Sequence, residues 1–167
     1  MRFSIVGVFL LLFSGWSHAD TYIRQTAVDI VRYEISLELT DHSDSIAATT
    51  KIHVRMRENG VSAMKLDFAG MQIDRVRVRG SRRRFQHRAG ILSFSLDRAY
   101  KRDELAVVDI RYHGKPEQGL LIGRNRYGRR VFFSENWPNR ARHWIPSIDH
   151  PYDKASVQIT VTAPQKY

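Results

Sequence analysis

The 167-residue chain carries 43% apolar and 26% charged side chains, an ordinary globular balance that excludes collagen-like, low-complexity and wholly disordered readings. Lys and Arg outnumber Asp and Glu by 27 to 17, for a formal net charge of +10, and cysteine is absent. That absence rules out a disulfide framework, a thiolate metal cluster and a cysteine nucleophile, while the length allows one domain rather than a large two-domain enzyme.

Arg2 places a positive charge ahead of an apolar run from Phe3 to Phe13, broken only by Ser4, and Ser17-His18-Ala19 offers small residues at the first and third positions of a signal-peptidase site. Together these features define a secretory leader, with cleavage expected after Ala19. The apolar run covers only about 16 Å as a helix, well short of the ~20 residues that span a bilayer. Residues 1–19 are therefore read as a signal peptide. Residues 20–167 are read as an exported domain, periplasmic or secreted, with no membrane span after cleavage.

Period-two alternation dominates the rest of the chain. Tyr33, Ile35, Leu37 and Leu39 point one way while Arg32, Glu34, Ser36 and Glu38 point the other, which predicts a half-buried strand. After the turn cluster Asp41-His42-Ser43-Asp44-Ser45, the chain returns over Ile46–Arg57 with Ile46, Ala48, Thr50, Ile52, Val54 and Met56 on one face. The two segments form a long antiparallel hairpin. Glu58-Asn59-Gly60 breaks the pattern, and shorter strands are predicted over 64–68, 72–79, 91–96 and 105–112, separated at Gly70, Gly80 and Gly90. Within 72–79, Arg75, Arg77 and Arg79 take one face and Val76 and Val78 the other. Arg82-Arg83-Arg84 reads as a basic turn. Such a face is either simply solvated or a docking surface for an acidic partner, such as another domain or an anionic envelope. No aromatic interleaves with the arginines for base stacking, so nucleic acid is not an expected partner.

A last strand is predicted over 156–162. Turn signals at this spacing, without helical periodicity between them, predict an all-β fold: an antiparallel, saddle-like β-sandwich with one Pro-rich irregular or short-helical segment near residues 134–154. A final strand so close to Tyr167 implies a sheet edge awaiting a partner, so the domain is expected to be incomplete at its C-terminus.

The chemistry-bearing signatures are absent. There is no His-Glu-x-x-His; His143 and His150 lie seven apart, outside helical zinc spacing. No Gly-x-Ser-x-Gly elbow and no phosphate-cradling loop occurs. Nothing in the spacing of Glu117, Glu135, Asp149 and Asp153 marks an acid–base pair. The chain is read as holding no catalytic residue, no metal ligand and no cofactor of its own. In the dense stretch from Val131 to Ala155, Pro138 can open one helical turn carrying Arg140, Arg142 and His143, and Pro146 and Pro151 forbid a longer helix. Arg142 and Asp149 are candidates for a buried bidentate pair that fixes the loop.

The run Ala141-Arg142-His143-Trp144-Ile145-Pro146-Ser147-Ile148-Asp149-His150-Pro151-Tyr152-Asp153-Lys154-Ala155 resembles the Ala-Arg-x-x-Phe-Pro-Cys-x-Asp-x-Pro-x-x-Lys-Ala stretch of the N-terminal β domain of M1 (aminopeptidase N-like) zinc aminopeptidases. Arg111-Tyr112-His113-Gly114 resembles that family's strand-end Tyr-x-Gly, and Val28–Tyr33 its opening strand. The resemblance covers about Thr26 to Tyr167. It implies a β domain that packs against a thermolysin-like catalytic domain, which carries the zinc site and lies outside this chain. Zinc belongs to that full-length enzyme, and the substrate is a peptide held by its free N-terminus.

In the family, one Glu or Gln of the β domain helps hold the substrate amine. That position falls on Trp137, a departure, because tryptophan cannot accept a bond from an ammonium. Glu135 falls on the preceding Gln and Asn136 lies between them, so Glu135 and Asn136 are the candidate substrate-binding residues. The expected function is the N-terminal substrate-cleft domain of an exported metallo-aminopeptidase, inactive alone. The alternatives are a free-standing secreted sandwich that binds a glycan or anionic partner through its basic face or Trp137 and Trp144, and a non-catalytic scaffold.

Overall fold

Alternating sequence becomes strand almost everywhere in residues 20–167, which the computed structural model describes; the leader read over residues 1–19 lies outside the described residues. The strands are β1 (Val28–Glu38), β2 (Ile46–Met56), β3 (Val61–Asp67), β4 (Gln72–Val78), β5 (Ser81–Arg83), β6 (Phe85–Arg88), β7 (Ile91–Tyr100), β8 (Leu105–Gly114), β9 (Leu120–Arg124), β10 (Arg130–Ser134) and β11 (Ser156–Thr162). A 3-10 turn at Ala141–His143 is the one helical element among the described residues.

One sheet has six strands in the order β11-β1-β2-β8-β4-β5, a second runs β3-β7-β6, and β9 and β10 form a separate hairpin. The β1–β2 hairpin pairs in the expected register, with Ile35 opposite Thr50 and Leu37 opposite Ala48. Its inward rows contribute Ile30, Ile52, Val54 and Met56, all fully buried, and β8 and β4 add Val108, Ile110, Val76 and Val78. From the smaller sheet Met64, Leu66, Leu92, Phe94 and Leu96 join the same core cluster. The edge of Phe68 meets the ring of Tyr112 at 4.9 Å between centroids. The all-β sandwich results from this: two sheets, each with one apolar face, share one core. The buried Tyr112 hydroxyl is matched by the hydroxyl of Thr50 at 3.0 Å, so each of these buried hydroxyls has a hydrogen-bond partner.

The structure differs from the sequence reading at four places. Arg82-Arg83-Arg84 is not a turn: Ser81–Arg83 is a strand, with Arg82 opposite Arg77 and Arg83 opposite Val76. The turn lies one step earlier, at Arg79 and Gly80, whose φ values of +48° and +85° fit the tight two-residue hairpin that matches strand twist. Phe85–Arg88 is a strand too, joined to β7 through Ala89-Gly90 in the same manner. Leu120–Arg124 and Arg130–Ser134 pair as a hairpin within what reads as irregular sequence. Finally, β11 joins β1 in parallel, the one parallel pairing among the described strands. All seven β11 residues are exposed, including Val157, Ile159 and Val161, which stand opposite Tyr33, Ile35 and Leu37 at the open end of the core.

Candidate functional site

The Pro-rich segment is built as a plug. Trp144, Ile145 and Ile148 are buried in the core, and the backbone of Ser147 bridges to that of Asp67 through two hydrogen bonds of 2.7 and 3.1 Å. The 3-10 turn is closed by the amides of Trp144 and Ile145, which both donate to the carbonyl of Ala141. Proline at 146 and 151 prevents the turn from growing into a helix. The segment therefore needs side chains to hold it.

Arg142 and Asp149 are brought together and supply that hold. The Asp149 carboxylate accepts at a single oxygen from both the Arg142 amide (3.1 Å) and its Nε (3.0 Å), while the guanidinium also donates to the Asp149 carbonyl at 3.2 Å. The pairing therefore spans side chain and backbone rather than forming a two-oxygen fork. A third residue completes it. Asp67, only 4% exposed, accepts from the Tyr22 hydroxyl at 2.7 Å and the Asp149 amide at 2.9 Å, and lies 3.7 Å from the Arg142 guanidinium. Two acids thus share one guanidinium, and backbone and phenol donors add to it at the same carboxylate oxygens. Burial and the Asp67 carboxylate together push the Tyr22 phenol well above its ordinary range, so it stays a donor at any physiological pH.

Sequence reasoning missed Asp67, Tyr22 and Tyr33. The Tyr33 hydroxyl accepts from the Ile148 amide at 3.1 Å, anchoring the far side of the plug. Each partner is remote in sequence, and only the fold shows that they meet. Residues 20–27 lie against the same region. Gln25 copies a strand partner for β3, donating to the Lys65 carbonyl at 2.8 Å and accepting from the Lys65 amide at 3.1 Å. Tyr22 stacks on His150 at 4.5 Å, and His150 meets the Asp20 carboxylate at 3.0 Å. Between this segment and the β3–β7–β6 sheet opens a cleft of about 1170 Å³, with Leu66 and Phe94 in its walls and Asp67 and Arg142 among its lining.

Glu135 and Asn136 lie outside that cleft, at the end of β10. Glu135 is partly exposed; its carboxylate accepts from the Trp137 amide at 2.9 Å and pairs with Arg140 at 2.5 Å. Asn136 turns its side-chain oxygen to the indole N–H of Trp144 at 2.9 Å, so this atom positions the plug. Gly119 is indispensable to the same corner. Its φ is +77°, and an added Cβ would stand 2.2 Å from the Arg140 carbonyl oxygen. The two tryptophans do not form a shared platform: Trp137 is 79% exposed and Trp144 only 2%. The stacking surface that a glycan-binding reading needs from both is therefore absent.

Among the described residues, no group of three or more His, Cys, Asp or Glu side chains gathers as a metal ion would require. The described side chains assemble no donor set that fits zinc. The Arg142–Asp149–Asp67 network fixes a loop.

The family model described as the Peptidase M1 N-terminal domain matches residues 30–167, and the chain belongs to that family. In fold it is similar to a single-site mutant of the M1 zinc metallopeptidase from Deinococcus radiodurans, at 27% identity and a TM-score of 0.72, covering 84% of this chain and 33% of that one. A second structure of that mutant, bound to a Tyr-Ser-Ala substrate, matches at 26% identity and 0.72 over the same shares. Native yeast LTA4 hydrolase matches at 15% identity and 0.70, covering 83% of this chain and 23% of that one, a likeness of fold alone. The chain spans about a third of the length of the Deinococcus metallopeptidase.

Proposed function

We propose that residues 20–167 are the N-terminal domain of an exported zinc metallo-aminopeptidase, forming one wall of its substrate cleft and taking no part in bond breaking alone. The observation that carries this reading is the family match over 30–167, joined to a plug segment whose charged residues are spent on structure. Its partner is a catalytic domain that supplies zinc, which polarises the scissile carbonyl and activates water. The exposed row Val157, Ile159 and Val161 on the edge strand supports such a partner, because an apolar edge of this kind is ordinarily covered.

In the substrate cleft that the catalytic domain would complete, Glu135 is the residue we assign to the substrate ammonium. Its carboxylate sits just past the end of β10, held by the Trp137 amide and Arg140, with part of its surface open. Asn136 supports the loop from behind through Trp144. Export rests on the leader features of residues 1–19.

The test is an assay of purified residues 20–167 with aminoacyl-arylamide substrates and added zinc. The expected result is release at the rate of buffer. Zinc-dependent turnover by this chain, abolished by substituting its own histidines, overturns the proposal.

A further inference from the structure

On the outward face of the six-stranded sheet the cross-strand registers form two adjacent rows. Along β5, β4, β8, β2 and β1 one row reads Arg82, Arg77, Asp109, Lys51 and Glu34; beside it run Arg75, Arg111, Thr49 and Ser36. The rows end differently. On the β1 side Glu34 is surrounded by Arg32, Lys51 and His53 within 3.5 Å. On the β5 side four guanidinium groups face one carboxylate, Asp109, which Arg75 approaches at 3.6 Å. Arg77, Arg82 and Arg111 are exposed and make no ion pair among the described residues.

Two of the cross-strand pairs, Arg82 with Arg77 and Arg75 with Arg111, set like charges directly opposite each other. Such pairs sit about 5 Å apart at Cβ and weaken a sheet. A local rule broken twice in one corner, with no compensating acid there besides Asp109, marks a site shaped by something outside the fold. Nearby, Asp74 is occupied by His113 at 2.8 Å and leaves the arginines uncompensated.

We infer that this corner of the outward face, built on Arg75, Arg77, Arg82 and Arg111, docks on the phosphoryl groups of an anionic lipid surface. All four cations are arginines, whose forked donors match phosphate oxygens. They project from a pleated sheet, with strands about 4.8 Å apart, as a broad array rather than a groove. A surface of repeated phosphates is complementary to that shape. A nucleic acid strand requires stacking aromatics, and no aromatic side chain stands in these two rows. This inference concerns the face turned away from the core and does not depend on the peptidase reading.

The experiment is sedimentation of the purified protein with phosphatidylcholine vesicles, with or without about one-third phosphatidylglycerol, at low and high salt. Binding is expected with the anionic vesicles alone and is expected to fall with salt. The variant Arg77→Gln/Arg82→Gln/Arg111→Gln is expected to lower partitioning about a hundredfold, about fivefold per guanidinium. The charge-matched control Arg124→Gln/Arg126→Gln/Arg129→Gln, at the end of β9 and in the β9–β10 turn, is expected to retain wild-type binding within a few-fold. Should the triple variant lose its far-UV circular dichroism, Arg82→Gln on the exposed edge strand carries the same test at about fivefold. Equal loss in the control, equal sedimentation with neutral vesicles, or tighter capture of poly-aspartate or an oligonucleotide by the same arginines overturns the inference.

Discussion

Replacing Arg142 with Ala tests the plug directly. The change removes the 3.0 Å bond from Nε to Asp149, the 3.2 Å bond to the Asp149 carbonyl and the 3.7 Å approach to Asp67. It leaves two carboxylates, with side chains only 5% and 10% exposed, facing no cation. Breaking a buried pair from one side costs about 3–5 kcal/mol. The Arg142 side chain is 23% exposed, so water relieves part of that, and about 3 kcal/mol is expected. Arg142→Lys keeps the charge but not the planar donors and is expected to lose about half as much. Urea unfolding reads this as a fall in midpoint of about 1.5 M at an unchanged slope near 2 kcal/mol per M. A double-mutant cycle with Asp149→Ala should show a coupling above about 1 kcal/mol. A loss for Arg142→Ala below about 1 kcal/mol, or a coupling near zero, refutes the assignment of loop fixation to this guanidinium.

Three further predictions rest on single positions. Gly119→Ala forces a Cβ to 2.2 Å from the Arg140 oxygen at a positive φ and should cost at least about 2 kcal/mol in urea unfolding. Glu104, held by the Arg98 guanidinium and the Lys101 amide, has its pKa pulled from 4.5 to about 2. Its contribution is full above pH 4.5 and is lost as pH falls toward 2, so the stability gap between wild type and Glu104→Gln should close over that window in thermal melts. Asp153 is shifted the other way: burial raises its pKa above 3.8, against the Ile30 amide that binds its charged form. The protonated acid suits the fold better, so the wild-type cost grows as pH climbs through the raised pKa. Asp153→Asn should therefore gain stability relative to wild type between acid and neutral pH, and a pH-independent difference contradicts this.

The strands were legible because burial on one face writes period two directly into the chain; Tyr33 to Leu39 and Ile46 to Met56 show it without ambiguity. The short strands β5 and β6 were hidden, since Ser81–Arg83 and Phe85–Arg88 lie at sheet edges where polar residues cost nothing on either side. The β9–β10 hairpin was hidden for a related reason: only Leu120 and Ile122 reach the main core, while Leu121 and Phe133 are exposed, so no clean alternation runs through it. Parallel pairing of β11 with β1 joins residues more than a hundred positions apart and leaves no local trace.

At the candidate site, Arg142 and Asp149 were readable because a Pro-interrupted loop needs an internal charge pair to hold it. Asp67 and Tyr22 were not: an acid at the end of a strand and a tyrosine in a coil give no sign that they converge on that pair. The pairing of Asn136 with Trp144 was equally hidden, and it removes Trp144 from any surface role.

Calorimetric titration of zinc into purified residues 20–167 probes most directly whether the reactive machinery lies outside this domain. The expected result is no stoichiometric binding at micromolar zinc, the range in which a structural or catalytic site would already be saturated, since about 8 kcal/mol corresponds to a micromolar Kd. One-to-one binding in that range, lost when His143 and His150 are both replaced, contradicts it.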